Sequence, residues 1–451
     1  MRIGRLEFGP GGVIFILLII AGLVIFGLRQ MGIDLIDKIK NGTAVTSSGS
    51  DSKTPTTSGG SANTIRIKGS STVGGSLGKD WAQEFMSQHP GSIVLVETKG
   101  TSTGFQGLIS GEAEIAAASR PVNDKEKDAA RAAGFNLDSS DSEYVIGFDA
   151  IAVIVNSENP LSQLTTTQLK DIFTGKITDW GQLGGKPGTI KVLLRPKELG
   201  AYELFQELVL GKGTPFLSGA EEVKENTKLA EQVRNDRNAI AFIALGGVGA
   251  NKAIKIAASD KTTPIAPSEV TIRNKSYLLT RNLYLYTRGA PQGLVKEFID
   301  YTLGAGQEYV ANNSFVNLKL KLVSASEGGS TSSSTEEKRK KYNTDIRFRT
   351  NSTEVNNLAI YDLAQIGRDA CSNVTNIQIE LIGYSDSQGD PQQNLVLSKQ
   401  RADAVASVLR SKCPQLNITT SGRGTQSPIG DNNTEEGRLL NRRVEIWVAQ
   451  N

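Results

Sequence analysis

Three clusters of small hydroxylated residues and one acid–arginine pair are the groups in this chain best equipped for chemistry. Gly69-Ser70-Ser71-Thr72-Val73 precedes a helical pattern around Trp81 and Phe85, and Gly100-Thr101-Ser102-Thr103-Gly104 precedes Phe105; Ala118-Ser119-Arg120-Pro121 is the third cluster. Helix starts present unpaired N–H groups, small residues let backbone come close, and hydroxyls add donors, so the chemistry on offer is the holding of an anion. Each cluster alone also fits an ordinary capped helix start, and it is their succession that points to a ligand. Far along the chain, Asp386 lies in the polar turn Gly383-Tyr384-Ser385-Asp386-Ser387-Gln388-Gly389-Asp390, and Arg401 follows it by fifteen residues in the next helical stretch. Such a pair either faces one pocket or bridges to itself and holds helix to turn. Catalysis is poorly supplied by comparison. His89 is the only histidine, in a turn-like Gln88-His89-Pro90-Gly91, and Cys371 and Cys413 are the only cysteines. No His, Cys or carboxylate cluster has ligand spacing, so the reading contains no enzyme, no metal and no cofactor.

The elements that must position these residues fall into distinct stretches. Fifty Lys and Arg against 47 Asp and Glu leave a net charge of +3, which argues against nucleic acid as a partner. Residues 13–28 are almost wholly apolar, long enough to cross a bilayer. The expectation is a cytoplasmic start (1–11), a transmembrane helix (12–29) and a juxtamembrane segment with a Ser/Thr/Gly-rich tether (30–63). A second tether of the same composition, residues 324–341, separates a body (64–323) from a tail (342–451). The basic run 338–341 that ends it reads as solvated. The body alternates strand-like runs with amphipathic helices, the α/β pattern of a sheet covered by helices. The tail reads β-α-β-α-β, with Ile377, Ile379 and Leu381 alternating as one strand.

The body resembles the phosphate-binding proteins of ABC transporters over most of residues 64–322. The stretches that carry the resemblance are 69–73, 100–108, 118–121, 281–287 (RNLYLYT) and the long segment 146–185, IGFDAIAVIVNSENPLSQLTTTQLKDIFTGKITDWGQLGG. The resemblance implies a two-lobed, type-II periplasmic-binding fold that holds a dehydrated oxyanion between its lobes. Carried over by position, the anion-binding residues are Ser71, Thr72, Ser102, Thr103, Ser119, Arg120, Asp149 and Arg195. One departure stands out. The family opens its second-lobe motif with Arg-x-x-Gly-Ser-Gly-Thr, whereas here Arg195 leads into Pro196-Lys197-Glu198-Leu199-Gly200-Ala201, with Leu199 and Ala201 where hydroxyls are expected. Losing two charge-assisted hydrogen bonds of about 1.5–3 kcal/mol each weakens phosphate by two or more decades.

The tail resembles the OmpA-like peptidoglycan-binding domain, an α+β unit. Its pattern is met by Gly383-Tyr384-Ser385-Asp386, by Gly389, by NLVLSKQRA (394–402) and by DNNTEEGRLLNRRVEI (431–446). The resemblance implies that Asp386 takes the ammonium and Arg401 the carboxylate of diaminopimelate in the stem peptide, with Ser385 and Asn394 at motif positions beside them. Tyr384 and Ser385 replace the usual His and Thr, and Arg349 stands where some relatives carry an acid. Peptidoglycan as partner places both domains in the periplasm, on a single-pass inner-membrane anchor. The solute is expected to be a small, phosphate-like oxyanion, and the sequence names no permease. The rival reading is a membrane-to-wall tether whose cleft is degenerate. Finally, Cys371 and Cys413 end the tail's first and second helices; right-handed crossovers make those ends neighbours, so a disulfide is expected in an oxidising compartment.

Overall fold

The structure, a computed structural model, describes residues 63–324, 340–372 and 377–450. The expected transmembrane helix, the first tether and most of the second lie outside the described residues. Among the described residues no helix is long and apolar enough to cross a membrane.

Eleven strands build the body: β1 Thr64–Gly69, β2 Ile93–Thr98, β3 Ile115–Ala118, β4 Glu143–Val155, β5 Gln163–Thr165, β6 Lys191–Leu194, β7 Glu221–Glu222, β8 Ala239–Ala244, β9 Lys252–Ala253, β10 Lys255–Ala257 and β11 Thr280–Tyr286. The main sheet runs β2-β1-β3-β11-β4-β8-β6-β7. Its axis is β4, whose sequence EYVIGFDAIAVIV is almost wholly buried, as a strand covered on both faces must be. Residues from Glu143 to Ala150 pair with β11, and those from Ile151 to Val155 pair with β8. The strand therefore passes from one lobe to the other beside Asp149, which sets that carboxylate on the floor of the cleft. In the first lobe β1, β2 and β3 are parallel neighbours linked through the helices Ser76–Gln88 and Thr101–Ser110. Parallel strands bring their carboxyl ends to one edge, so the three hydroxyl clusters meet there. Gly69 makes this possible: its φ of 140° and the close approach of the Ala117 carbonyl leave no room for a side chain.

The tail adds β12 Leu322–Ser324, β13 Lys340–Arg347, β14 Ile377–Gly383, β15 Asn417–Gly422 and β16 Arg443–Gln450, in the order β12-β13-β16-β14-β15. The expected β-α-β-α-β pattern gains a strand, β15, and a short helix, Glu435–Asn441, before the last strand. The polar sequence NITTSG hid β15, because an edge strand needs few buried side chains. The helices Asn357–Cys371 and Pro391–Lys412 pack on the sheet through Leu363, Ile366, Val405 and Leu409 against Ile379, Leu381 and Ile446. A disulfide joins Cys371 to Cys413, with their Cα atoms 5.7 Å apart.

Two expectations about the boundary change. Body and tail share a sheet edge, because β12 pairs antiparallel with β13, so both ends of the expected tether 324–341 are strand. Lys341 is not solvated: it is 1% exposed, 3.2 Å from Asp345 and over the Trp447 ring. A neighbouring carboxylate is what lets a lysine sit inside. The interface continues through Arg273, whose Nη2 lies 2.5 Å from Asp362 with both side chains 1% exposed. Thr344 donates to the same carboxylate, and Tyr361 donates to the Leu303 carbonyl.

Candidate functional site

The cleft between the lobes has a volume of about 560 Å³, and of the expected residues Ser71, Thr72, Ser119, Asp149 and Arg195 line it. Ser70 and Thr101 join them from the first lobe. Thr101 Oγ1 accepts from the Ser119 N–H at 3.2 Å and lies 3.3 Å from the Ser119 hydroxyl, so two of the three clusters touch. Thr103 does not face the cleft; two residues further on, about 200° around the helix, its hydroxyl donates to the Gly100 carbonyl. Ser102 and Arg120 line an adjoining groove of about 250 Å³ with Glu203 and Glu207. There Arg120 is engaged by both oxygens of Glu126 and donates to Ser102 Oγ. Arg120 is thus a partnered cation beside the cleft rather than one inside it.

Asp149 has a partner that sequence reading missed. Arg281 stands opposite it across the antiparallel β4–β11 pair and donates from Nε to Oδ2 at 3.0 Å. Burial pushes the Asp149 carboxyl above the usual range, and Arg281 only partly opposes this. The same guanidinium donates to Thr72 Oγ1 and to Glu203 Oε2, each at 3.3 Å, and so ties the two lobes together. Arg281 begins the stretch RNLYLYT, but nothing in a linear sequence sets it opposite Asp149; strand register does.

Arg195 differs from these. It is 6% exposed, donates from Nη1 to the Val223 carbonyl, and has no carboxylate partner among the described residues. Its Nε has no hydrogen-bond partner among the described residues. Burial lowers its pKa. The second lobe brings Lys197, Glu198, Leu199, Ala201, Glu203 and Asn226 to the cleft wall and no serine or threonine. Leu199 caps the helix Gly200–Phe205 with no side-chain hydrogen bond. All of the lining hydroxyls therefore come from the first lobe.

Residues 54–305, more than half of the chain, match the PBP superfamily domain. The chain belongs to the PBP superfamily. Residues 347–442 match the OmpA family. The superfamily part is similar to the phosphate-binding protein PstS of Staphylococcus saprophyticus, 32% identical over 231 residues that cover 49% of this chain and 69% of that protein. It is also similar to Protein SphX of Synechococcus elongatus, 30% identical over 275 residues covering 58% of this chain and 79% of the other. Among solved structures, an ABC-type phosphate transport receptor from Vibrio cholerae is 26% identical with a TM-score of 0.47, covering 56% of this chain and 99% of that one.

In the OmpA-family part the expected residues lie close together but are not paired as a simple bridge. Asp386 is 5% exposed and is held by Arg442, not by Arg401. Arg401, 0% exposed, donates to the carbonyls of Ser352 and Arg349 at 3.0 and 3.1 Å and lies over the Phe348 ring. No carboxylate contacts it among the described residues. Burial, with the Arg442 cation nearby, pulls its pKa down to about 10 against the pull of Asp386. Ser385 is 4% exposed and its hydroxyl has no partner, whereas the Asn394 amide donates to the Gln388 carbonyl and braces the turn. Arg349 serves the pocket through its backbone, and its side chain turns away to the Asp138 carbonyl in the body. Arg442 sits within the quoted stretch 431–446, but only the fold shows that it takes the acid.

Proposed function

We propose that this chain is a cell-envelope protein that grips peptidoglycan through its OmpA-family domain and binds a small oxyanion weakly through its PBP-superfamily cleft. One observation carries the reading. Of the seven buried arginines among the described residues, Arg273, Arg281, Arg347, Arg442 and Arg443 each contact a carboxylate, and Arg195 and Arg401 do not. A buried guanidinium without a counter-ion is costly unless a ligand supplies the anion. Arg195 shares the cleft with the first-lobe hydroxyls, and Arg401 lies within the attraction of Asp386. In the OmpA-family pocket Arg401 takes the carboxylate and Asp386 the ammonium of a diaminopimelate residue, with Ser385 Oγ as a further hydrogen-bonding group. In the cleft Arg195, with Ser70, Ser71, Thr72, Thr101 and Ser119, takes the oxyanion. The periplasm is the compartment that holds peptidoglycan, and the apolar run 13–28 supplies the inner-membrane anchor.

The second reading is a wall tether with an unused cleft, favoured by Leu199, Ala201 and the Arg281–Glu203 contact across the lobes. Equilibrium dialysis of the full chain against labelled phosphate, alongside pull-down on diaminopimelate-type peptidoglycan, separates the readings. Saturable phosphate binding that Arg195→Met removes supports the first; wall binding without any phosphate binding supports the tether.

A further inference from the structure

A cavity of about 330 Å³ lies where the body meets the tail, apart from the cleft and bordering the Arg401 site through Phe348 and Arg349. The body lends it Val122, Glu143 and Lys275; the tail lends Phe348, Arg349 and Leu439. Lys275 holds a left-handed backbone, φ 60°, which a lysine adopts only when its surroundings impose it. Its amine forms no hydrogen bond or ion pair among the described residues; the Phe148 ring, 5.9 Å away, is its one ring contact. Burial, reinforced by the cations Arg347 and Arg273, pulls that amine down to about 8 against the attraction of Glu143 and Asp362. Arg349 reaches in from the tail and donates to a backbone carbonyl only.

Glu143 attracts both cations, but among the described residues no acid of the cavity forms an ion pair with Lys275 or Arg349. Glu143 is engaged by the Tyr286 hydroxyl, and burial pushes its carboxyl up. Asp138 lies 3.7 Å from both Lys127 and Arg131, and Arg347 is already bound to Asp345. Glu354 also lines the cavity, with no ion pair among the described residues. Val122, Phe348 and Leu439 add apolar surface to the same lining. Cationic heads and apolar surface in one cavity match an anion that carries a hydrocarbon body.

We propose that this interdomain cavity is a third ligand site, which takes a small organic carboxylate with its charge on Lys275 and Arg349 and its apolar body against Phe348 and Leu439.

The probe is hexanoate, titrated calorimetrically into the full chain, with inorganic phosphate as the bare-oxyanion arm. Saturable hexanoate binding is expected in the unaltered chain and in Arg195→Met, which disables the cleft alone. Lys275→Asn is expected to weaken it at least tenfold. Asparagine tolerates the left-handed backbone better than lysine, so this variant keeps its melting temperature and the loss is one of binding. Leu439→Glu, at a position 43% exposed, is expected to weaken hexanoate as well. The proposal is overturned if hexanoate does not bind, if Lys275→Asn binds it unchanged, or if Arg195→Met abolishes it. Phosphate displacing hexanoate from Arg195→Met at equal concentration would overturn the assignment to an organic anion.

Discussion

Arg442 holds Asp386: Nη1 donates to Oδ2 at 2.7 Å, and the two side chains are 3% and 7% exposed. Arg442 is itself shared with the exposed Glu435 at 2.6 Å, so the acid expected to meet a ligand ammonium already belongs to an ion-pair network.

Asp386→Ala therefore costs stability as well as binding. Removing one partner of a buried pair costs about 3–5 kcal/mol, so a clear drop in melting temperature is expected. Asp386→Asn keeps the shape and the Gln388 N–H contact and should fold better while still losing peptidoglycan pull-down. Arg401→Met removes a guanidinium that bonds only backbone and should lose pull-down with a smaller drop. Full wall binding by Arg401→Met would reduce that residue to a brace for residues 349–352.

The cleft answers to its missing hydroxyls. Leu199→Ser with Ala201→Thr is expected to strengthen phosphate on the order of a hundredfold, at about 1.5–3 kcal/mol per bond to a charged ligand. Leu199→Ser should also raise the melting temperature slightly, since a serine cap contributes about 1 kcal/mol at a helix start that now has none. Tight phosphate binding by the unaltered chain, measured by calorimetry, would refute this account.

Body and tail should unfold together. Arg273 and Asp362 lie in different domains and are both 1% exposed, so Arg273→Met leaves a buried acid with no cation, at a cost of about 3–5 kcal/mol. Calorimetry is expected to show one transition for the unaltered chain and two for Arg273→Met. Adding Asp362→Leu should bring back most of the lost stability, because an apolar pair of similar volume replaces the ions. Two transitions in the unaltered chain would show that the interface does not couple the domains.

Acid should weaken the tail through Glu445. Burial alone would raise its carboxyl, but Lys341 and Arg443, with hydrogen bonds from Arg443 and Trp447, hold it down to about 2 against an ordinary 4.5. A carboxyl depressed on folding stabilises fully above its unfolded value and loses that contribution as pH falls through the folded one. Melting temperature should thus decline between about pH 4.5 and pH 2, and Glu445→Gln should be less stable near neutrality with a flatter decline. An equal slope in both proteins would assign the acid sensitivity elsewhere.

What the residues determined by themselves is local pattern and composition. Alternation in β1 and the apolar run Ala150–Val155 of β4 announce strands whatever surrounds them, and Ser, Thr and Gly at strand ends announce donors. These depend on periodicities of two and of about 3.6 residues, which a linear reading can see. Tertiary structure decided who meets whom. Arg281 faces Asp149 because β11 returns antiparallel beside β4 from about 130 residues away, and Arg442 reaches Asp386 because β16 lies between β13 and β14. Lys341, read as solvated from its basic neighbours, is inside because β13 places it 3.2 Å from Asp345 and over Trp447. Charge partners are set by distance through space, and a sequence supplies only distance along the chain.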